Sequence, residues 1–419
     1  MDRALKNRIR KRYVAEYGHL LSKDVADEDF KAKAMQAIQT IVGRELGGAS
    51  AQDKDAAVTE MLNELLGYGP IENLMNDPRI TEIMINGTQN VYMEKDGSTR
   101  TTDITFDDDD HLMYLVHKLL LPTRRRVDES YPYTEISFKD GCRVNIIIPP
   151  LALDGPAVTI RKFLKDIKVA EDLVNLGTMD KRISDFLVAA IKVQASIIFS
   201  GATGAGKTTT LNVLSSYISD DERIVTIEDT AELRLKQRHV VRLESRQPNI
   251  EGRGEVTIRD LFKNCLRMRP DRIILGEIRS GEALDMLQAI CSGHRGSLAV
   301  IHAHTAQDVI FRLETMVLTS GVQIGLEAIH RQIAASINLI VQQEQLVDGS
   351  RKITQVAQVS GLKDGQVVLE DIFFYEIEGV DADGKVRGKW KATGVIPNFY
   401  HLFVKTGVEL PPEIFSKGR

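Results

Sequence analysis

Gly201-Ala202-Thr203-Gly204-Ala205-Gly206-Lys207-Thr208 fits the pattern G-x-x-x-x-G-K-[ST] at every fixed position. The apolar run Ser196-Ile197-Ile198-Phe199 precedes it, and a helical run, Thr209 to Ile218, follows. Strand, glycine loop and helix in that order are the context this pattern needs to act on phosphate. Gly201, Gly204 and Gly206 let the backbone wrap closely round a polyphosphate, with the N–H groups of Ala202, Thr203 and Ala205 turned inward. The following helix presents its positive end to the anion. Lys207 is expected to reach the β- and γ-phosphates of ATP, Thr208 to ligate Mg2+, and Thr209 to complete the phosphate contacts.

Around this loop the sequence sets bounds. The 419 residues suggest two to three domains, and 43% hydrophobic with 27% charged residues is an ordinary globular composition. A net charge of −5 gives no global pull toward nucleic acid. No apolar run approaches the roughly 18 residues of a membrane-spanning helix. The start, M-D-R-A-L-K-N-R, carries no apolar signal core, so a cytoplasmic location is expected. Cys142, Cys265 and Cys291 are far apart and form no C-x-x-C, so no disulfide framework and no four-cysteine zinc site is expected.

Residues 1–66 read as three helices, with stripes at Leu5, Ile9, Tyr13, Tyr17 and Leu20, at Phe30, Ala34, Ile38, Ile41 and Val42, and at Val58, Met61, Leu62, Leu65 and Leu66. The first begins basic: Arg3, Lys6, Arg8, Arg10, Lys11 and Arg12. This is either a solvated face or a surface for an acidic partner or membrane. Residues 67–155 read as an α+β domain, with short strands at Ile80 to Asn86, Val91 to Glu94, Glu135 to Phe138 and Arg143 to Ile148. Asp107 to Asp110, directly before an apolar helix, reads as a helix cap and first turn, with a metal site as the alternative. Pro149-Pro150 and Asp154-Gly155-Pro156 suggest a linker, placed at 156–170. Beyond it, residues 171–419 alternate apolar strands (Ile197 to Ser200, Ile224 to Ile227, Val240 to Leu243, Ile273 to Leu275, Leu298 to Ile301) with helices. That alternation implies a mostly parallel sheet with the loop at a strand's carboxyl end. Further strands are expected at Ile337 to Val341, Ile353 to Val359 and Val367 to Tyr375.

Two carboxylate sites follow the loop. Glu228 and Asp229 close one strand and Glu277 closes another. At strand ends of this fold a carboxylate faces the γ-phosphate, where it orients or deprotonates water or holds Mg2+. The second motif ends Gly276-Glu277 rather than Asp-Glu, so Glu228 or Asp229 is left to hold the metal. His294, His302 and His304 cluster round one strand. A γ-phosphate-sensing histidine is preferred over zinc, because no carboxylate or cysteine is suitably spaced, and over a purely structural role. Arg143, Arg161, Arg242, Arg246, Arg267 and Arg269 are available to a spread phosphoryl charge, and the first two precede the loop domain.

The order T-I-E-D-T-A-E-L (226–233), R-M-R-P-D-R-I-I-L-G-E-I-R (267–279), G-H-R-G-S-L-A-V-I-H-A (293–303) and T-I-R-K-F (159–163) resembles the secretion ATPase superfamily of type II and type IV secretion and pilus machines. With G-Y-G-P-I-E-N-L, R-R-R-V-D-E-S-Y-P, G-C-R-V-N-I-I-I-P-P and the stretch Asp371 to Pro397, the resemblance is closest to the CpaF/TadA ATPases of tight-adherence (Tad, Flp) pili. It covers nearly the whole chain from about residue 60, and the missing C-x-x-C pairs disfavour the type II secretion and type IVa extension branches. The resemblance implies an α/β chain in which the N-terminal helical segment and α+β domain are followed by a RecA-like P-loop NTPase domain. Such subunits form a homo-hexameric ring on the cytoplasmic face of the inner membrane, moving an integral membrane platform protein and using no zinc and no nucleic acid. It assigns Glu228 and Asp229 to an acidic box, Glu277 to the water-activating base, His294 to His302 to a histidine box, and Arg143 and Arg161 to phosphate-closing arginines. The chain departs from the usual pattern at Gln342-Gln343-Glu344-Gln345, where relatives carry an arginine, and at Ala205, where Ser is frequent. A RecA-like nucleic-acid translocase and a nucleotide-dependent scaffold with little turnover are the alternatives.

Overall fold

A computed structural model describes residues 3–17, 28–123, 125–138, 141–162, 167–246, 248 and 253–417. Leu20 and Phe163, expected in a helix stripe and a motif, lie outside these residues, as does the side chain of Phe30. The chain divides into two compact units, Met1–Leu164 and Lys165–Arg419.

The first unit holds both the helical segment and the α+β region that the sequence suggests as separate domains. Its helices α1 (Arg3–Tyr17), α2 (Glu28–Glu45) and α3 (Ala51–Leu65) bury Ile9, Tyr13, Ile38, Ile41, Met61 and Leu65 at helical spacing. Each such side chain contributes roughly 1.5–3 kcal/mol on burial. The basic face of α1 is matched inside the unit: Lys6 pairs with Glu60, Arg8 and Arg12 with Glu45, and Arg10 Nε with Glu64 at 2.6 Å. Those side chains therefore meet acids of α2 and α3 inside the unit, which is neither of the two expected roles for this charge.

After α4 (Glu72–Asn76) come β1 (Ile80–Asn86), β2 (Asn90–Lys95), β3 (Ser98–Thr101), α5 (Asp109–Leu120), β4 (Tyr133–Ser137), β5 (Arg143–Ile147) and β6 (Ala157–Arg161). The strands form one antiparallel sheet, ordered β3-β2-β1-β6-β5-β4. Leu112, Leu115, Val116 and Leu119 of α5 bury against Ile83, Ile85, Val144, Ile146, Val158 and Ile160. The acidic run acts as a cap: the Asp108 carboxylate accepts the His111 N–H at 2.8 Å, and Asp109 and Asp110 fill the first turn. One expectation fails here. Residues 157–161, placed in a linker, form β6 in the middle of the sheet. Val158 and Ile160 point into the core while Thr159 and Arg161 face away, and the Pro/Gly breakers before them serve only the turn from β5.

The second unit contains α6 (Ala170–Asn175), α7 (Lys181–Lys192), β7 (Ile197–Gly201), α8 (Lys207–Ser215), β8 (Ile224–Glu228), β9 (Val240–Glu244), α9 (Ile258–Cys265), β10 (Arg272–Leu275), α10 (Glu282–Cys291) and β11 (Leu298–His302). It continues with α11 (Ala306–Leu318), α12 (Leu326–Ser336), β12 (Leu339–Gln345), β13 (Arg351–Lys363), β14 (Gln366–Val380), β15 (Val386–Ala392) and α13 (His401–Thr406). The sheet order is β15-β14-β13-β12-β7-β11-β10-β8-β9. Strands β12 to β9 run parallel and β13 to β15 join antiparallel. β7 is buried on both faces, with Ile197 and Phe199 in one core and Ile198 in the other. This is the continuous apolar strand of a helix-covered parallel sheet.

Candidate functional site

The site grows from the carboxyl end of β7. Gly201 closes the strand at φ 151°, and a Cβ there would overlap the carbonyl oxygen of Gln343 on neighbouring β12. Gly206, at φ 93°, is the N-cap of α8, so the helix starts two residues earlier than its apolar pattern suggests. The loop between them therefore ends at a helix N-terminus, which carries partial positive charge. Lys207 is the first residue of that helix and is 5% exposed. Its ammonium donates to the Ala202 carbonyl at 2.7 Å, across the loop, and lies 3.4 Å from His302 Nδ1. Thr208 and Thr209 follow, half-buried, on the first turn.

Three acids stand at the ends of adjacent strands. Glu228 ends β8 and is 2% exposed. One of its oxygens, Oε2, accepts the N–H groups of Glu232 (2.7 Å) and Leu233 (2.9 Å), while Oε1 is buried with no hydrogen-bond partner. Burial pushes this carboxyl up to about 7, against the pull of the two N–H donors. The next residue, Asp229, is held on both oxygens, by the Ser245 hydroxyl at 2.8 Å and by Arg279 Nη1 at 2.7 Å. Glu277, just past β10, has Oε1 at 3.3 Å from His302 Nε2 and accepts from Arg279 Nη2 on Oε2 at 2.7 Å. Burial alone would raise Glu277. The hydrogen bonds from His302 and Arg279, with the Arg279 charge, outweigh it and hold the carboxyl at about 2.

The structure thus brings Lys207, Glu228, Asp229, Glu277 and His302 to the same ends of β7, β8, β10 and β11. His294 is not among them; its Nδ1 faces the Ala289 carbonyl at 3.3 Å. Arg143 and Arg161 lie in the first unit as Cα partners across β5 and β6. Arg143 Nε donates to Glu135 at 2.9 Å, and Arg161 sits opposite Glu82 on β1. Sequence reasoning missed Arg279 and Ser245, which hold the acids, and marked the glutamines of β12 only as a departure from the resembled pattern. Arg279 lay two residues beyond Glu277, the spacing that returns a side chain to the same side of an extended segment.

The donor chemistry fits Mg2+ and a nucleotide. Thr208, Glu228 and Asp229 supply hard oxygens, and the orphaned Glu228 Oε1 is an acceptor that lacks a donor or cation. Among the described residues no group of three or more His, Cys, Asp or Glu is arranged to hold a metal ion by itself. One or two carboxylates with substrate phosphates is the usual Mg2+ arrangement.

Residues 64–382 match the family model described as type II/IV secretion system protein. A putative conjugal transfer protein of Mycobacterium tuberculosis is 31% identical over 300 residues, 70% of this chain and 85% of that protein. The type IV secretion system protein VirB11 of Brucella suis biovar 1 is 30% identical over 331 residues, 72% of this chain and 92% of that one. Among solved structures, the VirB11 ATPase of the Brucella suis type IV secretion system, in complex with sulphate, is similar at 29% identity and a TM-score of 0.39, over 69% of this chain and 95% of that one. The pilus retraction motor PilT with bound ADP is similar at 18% identity and a TM-score of 0.46, over 72% of this chain and 80% of that one.

Proposed function

The chain belongs to the type II/IV secretion system protein family, and on that premise we propose that it is an ATP-hydrolysing motor. Its subunits work as a homo-hexamer on the cytoplasmic face of the inner membrane and pass motion to an integral membrane platform protein that assembles pilin of the Tad (Flp) type. The observation that carries the reading is the linked series Lys207, His302, Glu277, with contacts of 3.4 and 3.3 Å. It joins the group that would grip the terminal phosphates to the group that would handle water. Among the described residues no helix is long and apolar enough to cross a membrane, in keeping with action at its surface.

In this reading the loop N–H groups and the start of α8 bind the phosphates, and Lys207 exchanges its bond to Ala202 for one to the β- and γ-oxygens. Thr208, Glu228 and Asp229 would hold Mg2+, which neutralises phosphate charge when bound. Glu277 orients the attacking water and takes its proton. It is ionised near pH 7 but a weak base while His302 and Arg279 both hold it, so those contacts must loosen during turnover. His302 touches both Lys207 and Glu277 and so reports on the phosphate. A second reading, a nucleotide-dependent scaffold with little turnover, is favoured by one observation: both Glu277 oxygens are engaged.

ATP turnover per subunit, followed against protein concentration, tests the proposal. A rate that climbs steeply and then levels off is expected of sites completed between subunits. Nucleotide binding with no turnover at any concentration, platform protein included, moves the assignment to the scaffold.

A further inference from the structure

β12 carries two successive glutamines, Gln342 and Gln343, each 2% exposed. In a regular strand neighbours face opposite sides. The pairing with β13 shifts between these residues, but the extra residue, Thr354, lies on β13, so the alternation of β12 holds: Gln342 shares a side with Ser200 of β7, and Gln343 faces α8. The Gln342 amide N–H2 donates to the His304 carbonyl at 2.8 Å and to the Ala303 carbonyl at 3.4 Å, which leaves its oxygen to accept from the Ser200 hydroxyl. It therefore ties the end of β7, one residue before the phosphate loop, to the chain directly after His302. Gln343 works on the loop itself. Its Oε1 accepts from the Thr210 hydroxyl of α8 at 2.8 Å, its Nε2 lies 2.9 Å from where a Cβ on Gly206 would stand, and its backbone carbonyl backs onto Gly201.

We propose that these two amides are positioning residues with divided roles: Gln343 sets the phosphate loop, and Gln342 sets the strand end that carries His302. The inference rests on the reading of the loop as a nucleotide site. Neither side chain needs to touch the nucleotide. Gln343 acts through α8 and the backbone of Gly201 and Gly206, hence on affinity. Gln342 acts through the position of His302 relative to Glu277, hence on the chemical step.

The experiment uses the full chain and two readouts, affinity for a fluorescent ADP and turnover at saturating ATP. In Gln343→Met the larger loss is expected in affinity, about tenfold, the size of one lost hydrogen bond. In Gln342→Met the order reverses, and the larger loss, again about tenfold, falls on saturating turnover. Thr210→Val and Ser200→Ala remove the partners from the opposite side, and each should reproduce the pattern of its own glutamine. These two keep the test open if a glutamine variant does not fold. Equal losses of affinity and turnover in both pairs, or wild-type values throughout, overturn the proposal. A wild-type chain that binds no ADP overturns the nucleotide reading itself, whereas binding without the split overturns only the division of roles.

Discussion

The Lys207 ammonium lies 3.4 Å from Nδ1 of His302, so the lysine of the glycine loop meets β11 through a side-chain contact. A cation that is 5% exposed and lies against the Ala202 carbonyl and the His302 imidazole is poised for an anion. Lys207→Ala is expected to weaken fluorescent-ADP binding by one to two orders of magnitude, the scale of a charge-assisted hydrogen bond of about 1.5–3 kcal/mol. Unchanged affinity would remove Lys207 from the phosphate site.

Glu277→Gln keeps the shape and loses the proton-accepting charge. ATP binding is expected to persist while turnover falls by roughly 10²–10⁴, the usual contribution of a general base. Single-turnover rates with radiolabelled ATP check this, and full activity in the variant would sink the base assignment.

The Glu228 carboxyl is raised from the ordinary 4.5 to about 7 by burial. Below pH 4.5 it is protonated folded and unfolded alike, and its contribution is fully present. As pH rises through 7, the unfolded chain is already ionised and the folded group resists ionisation, so stability is lost. The span corresponds to roughly 3 kcal/mol at most, an order-of-magnitude figure. Glu228→Gln should therefore raise the melting temperature at pH 8 and leave it nearly unchanged at pH 4. A stabilisation that is equal at both values would show that the carboxyl does not titrate in this window.

Gly201→Ala places a methyl group on the Gln343 carbonyl at a backbone angle that side chains avoid. A cost of about 3 kcal/mol or more is expected from overpacking and strain together. Urea unfolding at constant slope measures it. A midpoint equal to wild type would mean that β12 can move away from the loop.

Much of this site was open to sequence reasoning because its parts are local. The phosphate loop is one contiguous stretch, and Glu228 and Glu277 each end an apolar run that reads as a strand without help from the rest of the chain. What escaped depends on distant partners. Ala157 to Arg161 looked like linker because Pro and Gly surround it, and its membership of a sheet is settled by β1, far earlier in the chain. Arg279 and Ser245 matter because both reach Asp229 in space, and Arg279 reaches Glu277 as well. Strand β3 is exposed and polar throughout, and β15 alternates buried or half-buried with exposed positions weakly, so neither shows an apolar run. The Gln342–Gln343 pair was visible as a departure from the family pattern. Its meaning required the distant partners, Ser200 on β7 and Thr210 on α8, that meet the two amides on opposite sides of the sheet.

The order in which the sheet is assembled has a consequence for synthesis. Strand β7 lies between β11 and β12, and the Ser200–Gln342 bond spans 142 positions in the chain. A nascent polypeptide that has just released the glycine loop from the ribosome has neither of the neighbours that hold it. Closing contacts of such long sequence separation is slow, because the intervening chain must be ordered first. On the nucleotide reading, the loop thus gains both of its neighbouring strands late, after residue 345 has emerged.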